Sequence, residues 1–333
     1  MIATLPTASI QLRGLFTVPI HHITAIAGDP QRNLDFYAGV LGLRLVKLTV
    51  NFDDPGSYHF YYGDEIGRPG SLLTFFPWPG AHRGRQGGGQ IATVALTVPA
   101  GSLGFWIERL LSQGITYEGP SRRFDDQVLS LTDPDGLLLE LVASDASTSE
   151  QPWNEGPISP EHAVRGLHGA TIWEDGDQGT GDFLSQMLGF QPNGEDKGLL
   201  RFQADGNGSG LVVNLRRASG FWRGAGGVGT VHHMAFRAAS EADQLEQRSA
   251  IEARGLGVTP VVDRQYFHSV YFKEPGGVLF EIATDGPGFT IDEAPAELGS
   301  QLKLPPIYQG YREQIERALP PLRLPHAPAG QGS

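Results

Sequence analysis

Two histidine doublets and one glutamate carry the side chains best suited to chemistry: His21-His22, His232-His233 and Glu281. Each doublet opens a short apolar stretch that reads as a strand, PIHHITAIA and TVHHMAFRA, and Glu281 lies inside a third, GGVLFEIATDG. Two imidazoles and one carboxylate form the smallest protein set that holds a divalent iron and leaves coordination positions open for substrate and oxygen. If the three converge, an oxygen-activating metalloenzyme is expected. Neighbouring side chains of a strand point to opposite faces, so one histidine of each doublet is expected to face the metal and the other to pack beside it. Thr24 lies two residues after His22 and shares its face.

The elements that must position these residues come from an internal repeat. Strand-like runs at 20–27, 90–98, 166–173 and 231–238 recur at a spacing of roughly 65–75 residues. Each precedes a helical pattern. Asp29 and Pro30 suit an N-cap and a first helical position before Leu34, Tyr37 and Leu41, and Gly42 closes that helix. Two or three short strands follow: 43–50, 58–62 and 71–76 in the first unit, and 258–263, 269–273 and 278–283 in the fourth. The expected fold class is therefore α+β, with four βαβββ modules forming two domains. A polar, Pro-rich linker at 147–161 divides the chain into 1–150 and 151–290, and 291–333 is an extension with one helix near 308–319 and an end expected to be disordered.

Composition narrows the function classes. A length of 333 residues with 40% hydrophobic and 19% charged residues is globular. A net charge of −12 argues against nucleic acid and anionic membranes as partners. The absence of cysteine excludes a disulfide scaffold, a thiolate metal site and a cysteine nucleophile. Neither a leader pattern in the first 20 residues nor a long apolar run is present, so a cytoplasmic location is expected.

The paired modules, with histidines on first strands and a carboxylate on a last strand, resemble the vicinal oxygen chelate superfamily of glyoxalase I, bleomycin-resistance proteins and extradiol ring-cleaving dioxygenases. HHITAIAGDPQRNLDFYAGVLGLRLVKLTVNFDDP, YGDEIGRPGSLLTFFPWPG and HHMAF followed by GGVLFE resemble most closely its four-module hydroquinone-cleaving dioxygenases. That resemblance implies Fe(II), with Mn(II) as an alternative, on His22, His233 and Glu281. It implies that His21, His232 and Thr24 support the site or contact substrate. It also implies that Arg264 stabilises a phenolate and that Tyr271 hydrogen-bonds oxygen or substrate. The partners it implies are a small aromatic substrate and O2, and a homo-oligomer is expected.

The repeat also supplies an internal control. LTDPDGLLLELVA at 131–143 aligns with FKEPGGVLFEIAT at 272–284, which places Glu140 opposite Glu281. In the first strands Thr93 falls opposite His233, and Gly169 opposite His22 with His168 opposite His21. The second and third modules are thus expected to surround a vestigial site without metal. Phe75 is expected opposite Glu281 in the first module, where a glyoxalase keeps a second carboxylate. An apolar ring there speaks against the alternative reading of a glyoxalase-like isomerase or lyase. The intact His-His-Glu set speaks against the other, a small-molecule-sequestering protein of the bleomycin-resistance type.

Overall fold

The computed structural model describes residues 16, 18–145, 151–176 and 178–324. The start of the expected linker, most of the first 17 residues and the expected disordered end lie outside the described residues. Four modules follow one another. The first is β1 (Ile20–Ala27), α1 (Pro30–Leu34) running on as a π-helical turn (Asp35–Val40), β2 (Arg44–Asn51), β3 (Asp54–Gly63) and β4 (Leu72–Pro77). The second is β5 (Gln90–Val98), α2 (Leu103–Ser112), β6 (Tyr117–Arg123), β7 (Asp126–Thr132) and β8 (Leu138–Ala143). The third is β9 (Gly166–Glu174), α3 (Gln178–Gln186), β10 (Gln191–Asp196), β11 (Leu199–Gln203) and β12 (Val212–Arg217). The fourth is β13 (Thr230–Ala238), α4 (Glu241–Glu252), β14 (Val262–Asp263), β15 (Phe267–Lys273) and β16 (Leu279–Pro287). α5 (Arg312–Ala318) lies in the extension after a 3₁₀ turn (Pro306–Tyr311). No helix among the described residues is long and apolar enough to cross a membrane.

The local signals act as the sequence suggests. Asp29 caps α1 by accepting from the Arg32 amide, and Pro30 begins the helix. Ser240 caps α4 through the Asp243 amide. Helix α2 buries Leu103, Trp106 and Leu110, spaced three and four residues apart as one apolar stripe requires.

The α+β class holds, but halves of the sequence are not halves of the fold. One eight-stranded sheet runs β14-β15-β16-β13-β1-β4-β3-β2 and joins the first module to the fourth. The other runs β10-β11-β12-β9-β5-β8-β7-β6 and joins the second to the third. A division near residue 150 therefore cuts across both sheets. The reason lies in the first strands: β1 pairs antiparallel with β13, and β5 with β9, so each sheet is completed by a distant part of the chain. The extension then returns to the first sheet. Fully buried Lys47 on β2 bonds Asp292 (2.6 Å) and Glu293 and stands over the Tyr266 ring, which seals the sheet beside the cavity described below.

The turns before β8 and β16 show how equivalent junctions solve one problem in two ways. In the first, Asp135 accepts from the Gly28 amide (2.8 Å) and pairs with Arg32. Its counterpart in the second is Gly276, where a Cβ would meet the carboxylate of buried Glu174 at 2.4 Å. Glu174 thus fills the space from the opposite side, next to Glu274. Burial first, and Glu274 next, push the Glu174 carboxyl up to about 7. A group raised in this way contributes stability that is present below its unfolded value and is lost as pH rises through about 7. Glu174→Gln is accordingly expected to stabilise the protein at pH 8 by roughly 2 kcal/mol, with the difference vanishing toward pH 4.5, as measured by urea unfolding across pH.

Candidate metal centre

Both histidine doublets sit on irregular strand pairing. Between β1 and β13, Ile20 pairs with Phe236 but His22 already pairs with Ala235, so His21 is the extra residue of a bulge. Thr24 pairs with His233 and Ala25 with Val231, which makes His232 the extra residue of a second bulge. Strict alternation therefore fails at both doublets, and the two rings of each lie side by side. His21 Nδ1 is 3.0 Å from His22 Nδ1, and His232 Nδ1 is 2.7 Å from His233 Nδ1.

These contacts leave the Nε2 atoms of His22 and His233 free to converge, 3.3 Å apart. Glu281 Oε2 lies 2.9 Å from His233 Nε2 and 3.4 Å from His22 Nε2, and it makes no well-formed hydrogen bond although it is fully buried. The other oxygen, Oε1, accepts from the Ser269 hydroxyl. Donor atoms about 2.1 Å from one ion stand about 3.0 Å apart when cis and about 4.2 Å apart when trans in octahedral geometry. All three separations are far short of trans spacing and lie near this cis value or the roughly 3.4 Å of tetrahedral donors, so the set fits three adjacent positions on one side of an ion and leaves the other side open. Among the described residues this is the one cluster of three or more such side chains close enough to share a metal ion.

The electrostatics suit a cation. Burial alone would raise the Glu281 carboxyl, but the facing His22 and His233 outweigh it and hold it well below the usual carboxylate range. Burial lowers His233, against the pull of Glu281. Burial and then His22 hold His21 well below its ordinary value, and desolvation and then His233 push His232 down to about 4. Both outer rings are thus neutral near pH 7, so their Nδ1 atoms can accept the Nδ1–H of His22 and His233. That tautomer turns each Nε2 lone pair toward the metal position.

The triad opens on a cavity of about 260 Å³ whose walls include Phe52, Tyr61, Phe76, Trp78 and Phe267. A dry cavity of about 150 Å³ holds one benzene ring, and drug-sized ligands occupy about 300 Å³ or more, so the volume suits one substituted ring. The Phe76 and Trp78 rings stack with planes 7° apart. Tyr271 and Arg264 both line the cavity. Arg264 Nε donates to the Tyr271 hydroxyl (3.2 Å), and the guanidinium pairs with Asp53 (3.0 Å). Burial and then Glu281 raise the Tyr271 phenol, which stays protonated. Thr24 also lines the cavity and bonds Thr74 Oγ1 at 2.8 Å. The fold thus brings together every residue singled out from the sequence for this site. Sequence reasoning missed Asp53, His59, Thr74 and Ser269. His59 and Tyr61 alternate along β3 onto the cavity, a pattern the sequence contains but without anything to mark that face as the one turned to the metal.

Strand register corrects one sequence reading. Met234 pairs with Phe280 and Ala235 with Glu281, while the equivalent Ile23 pairs with Leu73 and Thr24 with Thr74. The residue at the position of Glu281 is therefore Thr74, not Phe75. Phe75 points to the other side, 4.4 Å from the Tyr37 ring centre. A one-residue slip in a strand exchanges its faces. The consequence for a second carboxylate is unchanged, because a threonine hydroxyl stands there.

In the other sheet the metal positions fall on Thr93, Gly169 and Glu140. A Cβ at Gly169 would lie 1.9 Å from the Val212 carbonyl oxygen, so no histidine fits. Arg123 pairs with Glu140 at 2.7 Å, and Arg201 pairs with Asp126 at 2.8 Å. His168 lies 3.8 Å from Asp126, and burial pushes it down to about 4. Arginine charge stands where a cation would.

The profile of the Glyoxalase/Bleomycin resistance protein/Dioxygenase superfamily matches residues 19–141 and 170–282. The chain belongs to that superfamily. It is 46% identical over 308 residues to the "Putative ring-cleaving dioxygenase MhqO" of Bacillus subtilis (strain 168), covering 92% of this chain and 97% of that protein. It is 35% identical to the chlorohydroquinone/hydroquinone 1,2-dioxygenase of Sphingobium indicum, covering 90% and 95%. The crystal structure of a "putative dioxygenase from Bacillus subtilis subsp. subtilis str. 168" superposes with a TM-score of 0.89 at 45% identity over 93% of this chain and 98% of that one.

The geometry makes metal content a direct readout. His233→Ala and Glu281→Gln are expected to lose bound metal by about tenfold or more after reconstitution and desalting, measured by plasma mass spectrometry, whereas Glu140→Gln keeps the wild-type content.

Proposed function

We propose that the protein is a non-haem Fe(II) dioxygenase that opens the ring of a hydroquinone- or catechol-type phenol with O2. The observation that carries this reading is the facial set of His22, His233 and Glu281 at the edge of a ring-sized aromatic cavity. Fe(II) would be held by these three side chains, and Mn(II) accepts the same donors. When bound, it supplies Lewis acidity toward a phenol and one-electron chemistry toward O2. The extradiol type, ring opening beside a hydroxyl-bearing carbon, is part of this proposal; for a hydroquinone it corresponds to cleavage between carbons 1 and 2, the position in the name of the Sphingobium relative.

The chain's own residues do the remaining work. The aromatic walls orient the ring and exclude water. Arg264, kept cationic, stabilises a phenolate oxygen, while its pairing with Asp53 fixes the guanidinium at the cavity mouth. Tyr271, whose ring centre lies 5.7 Å from that of His233, keeps its proton and can donate a hydrogen bond to an oxygen of the substrate or of O2. His232 is neutral and faces the cavity; with its Nδ1 accepting from His233, its proton sits on Nε2 and can be donated in a hydrogen bond. His21 is buried and serves by orienting His22. A glyoxalase-like reaction lacks support, since Thr74 offers no carboxylate as a fourth ligand or base.

The test is anaerobic loading with Fe(II) followed by oxygen uptake with hydroquinone, methylhydroquinone, chlorohydroquinone and catechol. At least one of these is expected to consume O2, and Tyr271→Phe is expected to lower kcat by about 10- to 100-fold with metal content unchanged. An oxygen trace that stays flat with all four rings sinks the proposal.

A further inference from the structure

Three residues on adjacent strands form a hydrogen-bonded chain that the metal set does not use. Thr24 Oγ1 on β1 is 2.8 Å from Thr74 Oγ1 on β4, which is 3.1 Å from His59 Nε2 on β3. Thr24 and His59 line the cavity, and Thr74 lies fully buried between them. Tyr61 and Phe76 grip the His59 ring, with centroids 4.0 and 4.4 Å away. The position of Thr74 is the telling one, because the two-fold relation of the first and fourth modules puts it where Glu281 stands. A carboxylate there could bind metal or take a proton. A threonine does neither, but its hydroxyl accepts and donates at once and so can pass a proton on.

We propose that Thr24, Thr74 and His59 form a proton relay that carries the proton of the substrate's ring hydroxyl away from the metal centre. This rests on the reading of the site as one that binds a phenol at a metal ion. In the relay the ring O–H bond breaks and Thr24 Oγ1 takes its proton. Thr24 gives its own proton to Thr74 Oγ1, and Thr74 gives its own to His59 Nε2, where an N–H bond forms. No electrons change hands, and the reverse sequence returns the proton to the ring-opened product. His59 is only partly buried at the cavity wall. Burial, followed by His22 and His233, keeps its imidazole neutral, with Arg264 and Glu281 the other charged groups in range. It therefore passes protons rather than stores them. His59 is the terminal carrier, and Thr74 is a positioning residue that acts through its neighbours.

Nitrohydroquinone is a suitable probe, because its visible band reports ionisation of its hydroxyls. It is mixed anaerobically with the Fe(II)-loaded full chain in a stopped-flow spectrometer, and kcat and KM for hydroquinone are measured separately. Thr74→Val and His59→Asn are each expected to slow ionisation of the bound probe by about tenfold or more and to lower kcat similarly, with KM and metal content within about threefold. Thr74→Ser is expected to restore both rates, and the double variant Thr74→Val/His59→Asn to be no slower than either single one, since the groups act in series. The wild-type protein gives a check independent of any variant: the ionisation rate should fall along a curve in mixtures of H2O and D2O, as several moving protons require. A straight line, or single variants within twofold of wild type, overturns the relay. Ionisation without oxygen uptake overturns ring cleavage and leaves the relay standing, whereas a probe that neither binds nor ionises overturns both.

Discussion

The antiparallel pairing of β1 with β13 is the constraint on which the site depends. It joins strands more than two hundred residues apart, and it places the equivalent residues Ile23 and Met234 directly opposite each other. His22 and His233 then flank this local two-fold point and face one another, and the parallel pairing of β13 with β16 sets Glu281 beside them. Two mirrored bulges refine the arrangement. Each places an extra histidine next to a converging one, so that every Nε2 aimed at the metal position has a neutral imidazole at its Nδ1. Bulges cost ladder hydrogen bonds, and their repetition at equivalent points marks them as features of the site.

The second sheet shows what the same frame does without those residues. Its central pairing of Val94 with Ala170 repeats that of Ile23 with Met234. Thr93 and Gly169 occupy the histidine positions, and the backbone closes on Gly169 so tightly that no side chain fits. Glu140 keeps the position of Glu281, yet a buried carboxylate needs a compensating charge, and Arg123 supplies it. One sheet thus leaves its central charge open to a cation and the other neutralises it internally. The asymmetry arises from a handful of positions within two copies of one architecture.

Around the open site, low polarity sets the behaviour of each polar group. Burial keeps His21, His59, His232 and His233 on the neutral side and the Tyr271 phenol protonated. Arg264 resists because Tyr271 and Asp53 surround it. Glu281 is the exception, held ionised against its burial by the imidazoles it faces. The chain after β16 contributes at a distance: Asp292 and Glu293 hold Lys47 inside the first sheet, and Phe289 packs against Tyr61, a wall of the cavity. Removing either side of that ion pair would leave a buried charge uncompensated, which explains how a segment outside the four modules belongs to the site's framework.

The four modules, the first strands and their caps were legible in the sequence because periodicity, N-cap residues and turn glycines act locally. So were the two histidine doublets and Glu281 as a candidate set, because the repeat made their positions comparable, while the choice of His22 and His233 within the doublets came from the family resemblance. The alignment of Gly169 and Thr93 with the histidine positions agrees with the register of the second sheet. Three things depended on tertiary structure. Strand alternation predicted opposite faces for each doublet, but bulges form only when two strands pair, and they brought the rings together. The counterpart of Glu281 was read one residue late, as Phe75, because β4 takes its register from β1 and not from its own pattern. His59 and Thr74 carried nothing that marked them for the site. Their hydrogen-bonded chain exists only where β1, β4 and β3 lie side by side, and the order of strands in a sheet is settled by long-range pairing that no local stretch of sequence contains.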